Sequence, residues 1–430
     1  MGAFAANVRE RAQHTPAGRE RIADLLRAVA ICIVVVGHWM AVAVRYEDGE
    51  LSGRNALDVV TWSDPLTWLL QVMPVFFLVG GYANAASFAS HRRGDGDALG
   101  WVLWRTDRLL RPTTPLLLVV PVTAAAAVLL GVPETVVGTA TWLASIPLWF
   151  LLAYLAMIVL TPWMLALHRW AGLGVPIALV ATVAAADLLR MGPDVPYVGQ
   201  VGYLTAWLAV HQTGFCWRDG LLPSGKLPAA VWTALAGGAL LALTLLGPYA
   251  VRMVGVNTAP PTLALVTLAA AQVGVVLLLR PSLNRWLQRT RPWTAVVGLN
   301  AVVLTMFVWH LVAAVVAAVL VYPSGLVAQP PVGSAAWFAW RIPWVLACAL
   351  VLLVLIAIFA RIEFRRSHVR LGRVTGWPAV LAVAGLLAVL GGLVGVALSD
   401  RGYHGLGGLP PAAVLSYLAG AATLRLVRTR

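Results

Sequence analysis

The feature that most constrains this chain is a series of long apolar runs, which recurs over nearly all of its 430 residues. Each run holds about 20 residues, enough for a helix of ~30 Å, which matches the hydrocarbon core of a bilayer. Apolar residues make up 60% of the chain and charged residues only 11%, whereas a soluble domain is about 25% charged. A soluble protein cannot bury that much apolar surface. The sequence therefore predicts an all-α fold, a polytopic transmembrane helical bundle.

The apolar runs predict about 12 spans, because a helix needs about 20 apolar residues to cross a bilayer. The predicted segments are 24–44, 67–89, 113–131, 145–166, 174–190, 199–216, 228–248, 261–280, 295–320, 341–361, 377–398 and 409–425. Every second linker is rich in arginine. Since Lys and Arg accumulate in cytoplasmic loops, we expect both termini in the cytoplasm. The alternation also supports the final short segment as a span, because an eleven-span chain would leave the terminal arginines outside.

Charge and cysteine content exclude two classes of function. A formal net charge of +14 suggests nucleic acid in a soluble protein, but here the arginines lie at the ends of apolar runs, where they set membrane topology. We therefore expect no nucleic-acid partner. Cys32, Cys216 and Cys348 have no CxxC spacing, and the chain contains no HExxH, GxSxG or Walker motif. We expect neither a disulfide framework nor a bound metal.

The first predicted span carries three polar residues on one helical face. Arg27 and His38 are eleven residues apart, about three turns or ~16 Å along the axis, and Asp24 lies one turn before Arg27. An imidazole at mid-membrane depth usually faces a protein interior or a wet cavity. We interpret His38 as a general base, with Asp24 in the catalytic set. The alternatives are a purely structural hydrogen bond for His38 and snorkelling to the interface for Arg27.

A second constellation, Arg105-x-x-Arg108-x-x-Arg111, precedes the third predicted span. If this stretch is helical, the spacing aligns three guanidinium groups in one basic ridge. Guanidinium forks bind phosphate oxygens well. Anchoring of the helix at the cytoplasmic surface explains the motif equally well.

Other polar and small residues inside apolar runs are candidates for a pocket. They are Gly80, Gly81, Tyr82, Asn84, Asn300 and His310. The two adjacent glycines permit close approach of a ligand or, as the main purpose, of another helix. For His310 and His211, a structural hydrogen bond and a functional role remain open alternatives. Asp187 and Glu363, near span ends, are open in the same way, and Glu363 is close enough to Arg361 to pair.

Five segments, taken in order, resemble acyltransferase family 3 of integral membrane proteins, in a form that looks actinobacterial. They are Arg21-Ile-Ala-Asp24-Leu-Leu-Arg27 with His38 after ten further residues, Gln71–Tyr82, Arg105-x-x-Arg108-Leu-Leu-Arg-Pro112, Leu148-Trp149-Phe150-Leu151 and Phe307-Val-Trp-His310. The resemblance covers about residues 20–360. The chain departs from the family pattern in two places. It has Gly80-Gly81 where Ser-Gly is commoner, and it carries extra apolar segments after about residue 370.

The resemblance implies transfer of an acyl group, often acetyl, from acyl-CoA to a hydroxyl of a sugar, lipid or other small acceptor. It implies that His38 is the catalytic histidine, that Arg27, Arg105 and Arg108 support the donor, and that Trp149 joins the pocket. A transient acyl-histidine is a variant that stays open. We expect a cytoplasmic tail over 1–22, the acyltransferase domain over 23–365, and extra transmembrane segments with a basic tail over 366–430.

The main rival is a secondary transporter or flippase with a histidine-lined cavity. Transporters usually combine repeats with mid-membrane acids for ion coupling, and no Asp or Glu lies mid-span here. Another membrane O-acyltransferase family also uses a span histidine, but it does not predict the Arg27–His38 pair. We therefore predict a multi-pass protein of the cell membrane whose partners are the bilayer, acyl-CoA and a small hydroxyl acceptor. The acceptor and the oligomeric state remain open.

Overall fold

The computed structural model describes residues 2–16, 18–47, 50–193, 195–325, 327–364, 373–399 and 407–429. These residues form helices, one two-stranded sheet and short connections. The chain divides into two compact units. The first comprises Met1–Val34, Trp62–Ser90 and Val159–Ala301, and the second comprises Val35–Thr61, His91–Ile158 and Val302–Arg430.

The elements follow one another along the chain with short connections. In order they are α1 (Gly2–Gln13), α2 (Arg21–Ala41), β1 (Val42–Glu47), β2 (Glu50–Asn55), α3 (Thr67–Leu70), α4 (Met73–Arg92), α5 (Ala98–Leu129), α6 (Glu134–Ser145), α7 (Pro147–Ala171), α8 (Gly174–Met191), α9 (Gly202–Arg218), α10 (Lys226–Leu241), α11 (Leu263–Trp286), α12 (Thr290–Val321), α13 (Ala335–Phe364), α14 (Trp377–Ala397) and α15 (Pro411–Thr429).

Ten helical segments of the described chain are long and apolar enough to cross a membrane. Each predicted span falls on a helix, but two of these helices are not among the ten. Helix α9 has only 17 residues, and α15 carries Arg425 and Arg428 within its 19 residues. The described residues thus contain ten candidate spans, and the two further spans predicted on α9 and α15 stay predictions.

Helix α5 begins 15 residues earlier than the span predicted at 113–131. The Asp97 carboxylate accepts a hydrogen bond from Gly100 N at 2.7 Å and caps the helix, which then runs unbroken to Leu129. Prolines 112, 115 and 121 lie inside it, as transmembrane helices tolerate. Arg105, Arg108 and Arg111 therefore lie on the same helix as the span and not in a separate linker, and their helical spacing is as expected.

Helices α1 and α6 and the β-hairpin lie outside the predicted spans. Helix α1 packs its Ala12 against Leu287, Trp293 and Val296 in the first unit. Strands β1 and β2 pair antiparallel in the second unit, with Val42 opposite Asn55. The fold is thus all-α apart from one hairpin. The boundary expected between residues 365 and 366 lies outside the described residues.

Candidate active site

Two imidazoles meet in the second unit, one from α2 and one from α12. His38 Nδ1 lies 2.7 Å from His310 Nε2, and the ring planes are within 6° of each other. His310 Nδ1 lies 2.6 Å from the carbonyl oxygen of Phe307. His310 is completely buried, whereas His38 is partly exposed. The histidine that the sequence singled out therefore points toward α12 and remains accessible.

The hydrogen bonds fix the proton positions of the neutral pair. A carbonyl oxygen only accepts, so His310 Nδ1 donates to Phe307, and His310 Nε2 carries a lone pair. His38 Nδ1 then donates to that lone pair. The proton of His38 is on Nδ1, which leaves Nε2 of His38 as an unprotonated, basic nitrogen.

Two buried tryptophans hold the histidine pair in register. Trp39 Nε1 donates to the carbonyl oxygen of His310 at 2.8 Å, and Trp344 Nε1 donates to the carbonyl oxygen of Trp39 at 2.8 Å. These bonds connect the backbones of α2, α12 and α13 within the second unit. Because both indoles are 4% exposed or less, water does not compete for the bonds, and the two rings are held in place.

A row of contacts leads from the histidine pair to the arginines of α5. The Phe307 ring lies 5.8 Å from His310 and 4.9 Å from Phe150, and Phe150 lies 5.7 Å from Tyr154. The Tyr154 hydroxyl is 3.5 Å from Arg105 Nη2. All five residues belong to the second unit, so this unit brings Arg105 and His310 into one contiguous network. Neighbouring Trp149, also on α7, contacts Phe150 edge to face at 6.3 Å.

Glu363 belongs to this network, although the sequence left its role open. Its carboxylate accepts hydrogen bonds from Thr305 N at 2.9 Å, Thr305 Oγ1 at 2.6 Å and Leu304 N at 3.3 Å. Arg108 lies within electrostatic range of the same carboxylate. The hydrogen bonds from Thr305 thus tie Glu363 to α12, five residues before His310. A pairing across 58 residues leaves no local signal in the sequence.

The three arginines of α5 have different surroundings. Arg111 Nη2 lies 2.6 Å from the Asp107 carboxylate, and Arg428 of α15 binds the same carboxylate. Arg108 is exposed and Arg105 is partly exposed. Arg111 is thus held by a carboxylate of its own helix, while Arg105 contacts Tyr154 and Arg108 lies within electrostatic range of Glu363.

Asp24 and Arg27 belong to the first unit, where Asp24 holds two arginines. Its carboxylate receives Arg19 Nε at 2.6 Å and Arg19 Nη2 at 2.9 Å, and Arg27 Nη1 lies 3.5 Å away. The hydrogen bond to Asp24 raises the pKa of Arg19. Asn300, one of the predicted pocket residues, donates to the Asp24 carbonyl at 2.8 Å. Both carboxylate oxygens of Asp24 thus bind arginine, and its catalytic role stays a prediction.

The pocket residues predicted on α4 pack against α9 in the first unit. Asn84 Nδ2 lies 3.1 Å from His211 Nε2, and both side chains are buried. Tyr82 contacts the ring of Trp217 at 4.9 Å. A Cβ built on Gly81 would lie 1.9 Å from the carbonyl oxygen of His211. This geometry favours helix packing as the purpose of Gly81, while a pocket role for Gly80 stays a prediction.

No group of three His, Cys, Asp or Glu side chains suited to a metal ion occurs among the described residues. In comparisons with known proteins, a family profile described as an acyltransferase domain matches residues 21–362. No curated protein and no solved structure matches the chain. The matched stretch begins with α2, contains His38, Arg105, Arg108 and His310, and leaves α14 and α15 outside. It carries no information on the source organism.

Proposed function

Because this chain belongs to the acyltransferase 3 family and is a membrane-embedded acyltransferase, we propose that it transfers an acetyl group from acetyl-CoA to a hydroxyl of a sugar, lipid or other small acceptor. The observation that carries this proposal is the hydrogen-bonded pair of His38 and His310, which leaves one basic nitrogen on an accessible imidazole. Apart from its own stretch of helix, no described part of the chain lies within 4 Å of the position where a Gly37 side chain would begin, so other helices do not cover the surface next to His38.

The proposed step is a direct transfer with His38 as general base. Nε2 of His38 removes the proton of the acceptor hydroxyl while its oxygen attacks the thioester carbon. The new C–O bond forms, the C–S bond breaks, and the coenzyme leaves as a thiolate that takes the proton back from the imidazolium. The products are the ester and free CoA–SH. His310 supports the charged state, because its Nε2 still accepts the Nδ1 proton of His38.

Donor binding is assigned to the arginines of α5, with Arg27 as a further candidate from α2. Coenzyme A carries several phosphate groups, and guanidinium forks bind phosphate oxygens with charge-assisted hydrogen bonds. Arg105 and His310 are joined by the aromatic row, so phosphates held near Arg105 belong to a ligand whose thioester extends toward His38. We propose that this end of the second unit faces the cytoplasm, where the positive-inside pattern also places both termini.

Consumption of the donor tests the proposal against a transporter or flippase. Purified protein in nanodiscs is incubated with radiolabelled acetyl-CoA and fractions of membrane lipids and glycans, and released CoA–SH and labelled products are measured. We expect CoA–SH release that depends on one class of hydroxyl compound and an equal amount of labelled ester. Protein that moves lipid or glycan across the bilayer without consuming acetyl-CoA would contradict the proposal.

Replacing Arg105 or Arg108 with glutamine should raise the KM for acetyl-CoA by about 10- to 100-fold, because a hydrogen bond to a charged group contributes ~1.5–3 kcal/mol. Initial rates at varied acetyl-CoA measure this effect. Arg93→Gln is the matched control, since Arg93 is an exposed arginine in the turn between α4 and α5 and should leave the KM unchanged. A fall in kcat at constant KM would assign these arginines to a step other than donor binding.

His310 is a positioning residue, and its removal should lower kcat with little change in either KM. His310→Leu removes the acceptor for His38 Nδ1 and should cost about 10- to 100-fold, by analogy with the loss of a partner that orients a metal-bound histidine. His310→Gln supplies an amide oxygen as acceptor and should recover part of the rate. Steady-state kinetics of both variants test this. Equal loss in the two variants would show that His310 acts through packing alone.

A further inference from the structure

A cavity of about 130 Å³ lies in the second unit between the β-hairpin, the segment after α12 and the start of α13. The residues that matter for its chemistry are Arg45, Arg54, Tyr322, Trp337, Trp340 and Arg341. A water occupies ~10–15 Å³ of such volume, so the cavity takes a group of about ten heavy atoms, the size of one sugar ring. None of its lining residues is acidic.

Arg341 is the centre of this cavity wall. Its side chain is 4% exposed, and Nη1 donates to the carbonyl oxygen of Val42 at 2.8 Å. The guanidinium lies 4.4 Å from the centre of the Trp337 ring and 5.7 Å from that of Trp344. Its Nε is buried and has no hydrogen-bond partner. A buried cation with an unused donor is costly unless an acceptor reaches it, so this wall is suited to an anionic group.

The rest of the lining adds charge and flat apolar surface. Arg45 and Arg54 are exposed residues of the cavity lining, and Arg45 Nε lies 2.6 Å from the Glu47 carboxylate. Trp337 is buried and Trp340 is partly exposed. Guanidinium groups bind carboxylate or phosphate, while aromatic rings provide large apolar faces against which a ring can pack. Together they fit a ring-shaped polyol that carries a negative charge.

The cavity and Glu363 lie at opposite ends of α13. Arg341 and Glu363 are 22 residues apart on this helix, or ~33 Å, close to the ~30 Å of a bilayer core. Thr305 of α12 binds Glu363, and Tyr322, directly after the end of α12, lines the cavity. Along the chain, His310 lies between Thr305 and Tyr322. The histidine pair of the second unit therefore lies between the arginines of α5 and this cavity.

We propose that the cavity binds the acyl acceptor and that the acceptor is an acidic saccharide, a sugar that carries a carboxylate or a phosphate. Its role as acceptor site rests on the proposed function, whereas its affinity for the ligand does not. The donor and the acceptor then reach His38 from opposite membrane faces. Arg341 holds the charged group, and the tryptophans position the ring so that a hydroxyl extends toward the histidine.

Binding measured without any donor tests the cavity by itself. Purified full-length protein in neutral phosphatidylcholine nanodiscs is titrated with glucuronate, glucose 1-phosphate and glucose by isothermal calorimetry. We expect at least one acidic sugar to bind tenfold or more tightly than glucose. Arg54→Gln, at an exposed position, should weaken that binding about tenfold, Arg341→Lys should weaken it further, and Arg93→Gln should have no effect.

Several outcomes would overturn the proposal. They are equal binding of glucose and the acidic sugars, affinities unchanged in both cavity variants, and occupancy that appears only in phosphatidylglycerol nanodiscs, which would assign the cavity to a lipid headgroup. His38→Ala separates the two proposals, since it should bind the acidic sugar normally but transfer the acyl group about 10²–10⁴-fold more slowly. Normal binding by wild-type protein that never consumes acetyl-CoA would sink the proposed reaction and leave the binding site intact.

Discussion

Replacement of His38 with alanine is expected to lower acyl transfer by about 10²–10⁴-fold, the usual contribution of a positioned general base. The variant lacks His38 Nε2, the basic nitrogen assigned to the reaction, and the lone pair left on His310 Nε2 belongs to a completely buried ring. It should still fold. The main structural cost is a buried His310 Nε2 without its donor, ~1–3 kcal/mol. CoA–SH release by the purified variant, compared with wild type, measures the effect.

His14 provides the matched control. It is an exposed histidine in the turn after α1, and its ring contacts only the carbonyl oxygen of Glu10 among the described hydrogen bonds. His14→Ala should retain wild-type activity. Thermal unfolding in nanodiscs should show that His38→Ala remains folded. Full activity in a folded His38→Ala protein would remove the base assignment and with it the proposed mechanism.

Replacement of Gly81 with valine is expected to abolish accumulation of folded protein. Its Cβ would lie 1.9 Å from the carbonyl oxygen and 2.8 Å from the carbonyl carbon of His211, and 3.2 Å from the Cα of Gly214. These are backbone atoms, so α4 and α9 have to separate. Overpacking of a well-packed interior costs ~1–3 kcal/mol and more when the backbone cannot shift. Separation also breaks the buried bond between Asn84 and His211.

The measurement is the monodisperse fraction on size-exclusion chromatography after detergent extraction, followed by the melting temperature. Gly237→Val on α10 is the matched control, because a Cβ at that glycine meets no atom within 4 Å. It should give wild-type yield. If Gly81→Val gave the same yield and melting temperature as the control, the close helix contact would be refuted.

The membrane helices were predictable from sequence because a helix in a bilayer satisfies its backbone hydrogen bonds within itself and is visible in the sequence as an apolar run. The predicted bounds of elements agree less well with the structure where the apolar run is short or missing. Helix α9 is short and carries His211 and Gln212, and α5 is extended by a cap at Asp97 that lies outside any apolar run. Strand β2, Glu-Leu-Ser-Gly-Arg-Asn, lacks alternation and β-branched residues, so the hairpin had no sequence signature.

The site was predictable only in part. Depth in a span was enough to select His38 and His310 separately. Their contact joins residues 272 positions apart. Glu363 and Thr305 are likewise far apart along the chain, by 58 positions. Such pairings depend on how helices pack, which spacing along one helix does not encode. Asp24 is a local case: its carboxylate binds Arg19, five residues away, a contact that the sequence analysis did not consider, and its catalytic role stays a prediction.

The hydrogen bond from His310 to the Phe307 carbonyl has a consequence for the timing of the reaction. It fixes the direction of the proton chain, so the two rings together offer a single site of protonation, on His38. A lone site of this kind cannot store an acyl group and deprotonate a hydroxyl in the same encounter. If His38 works as a base, donor and acceptor have to be bound to the enzyme at the same time. The requirement for a ternary complex then follows from the hydrogen bond that the Phe307 carbonyl oxygen accepts.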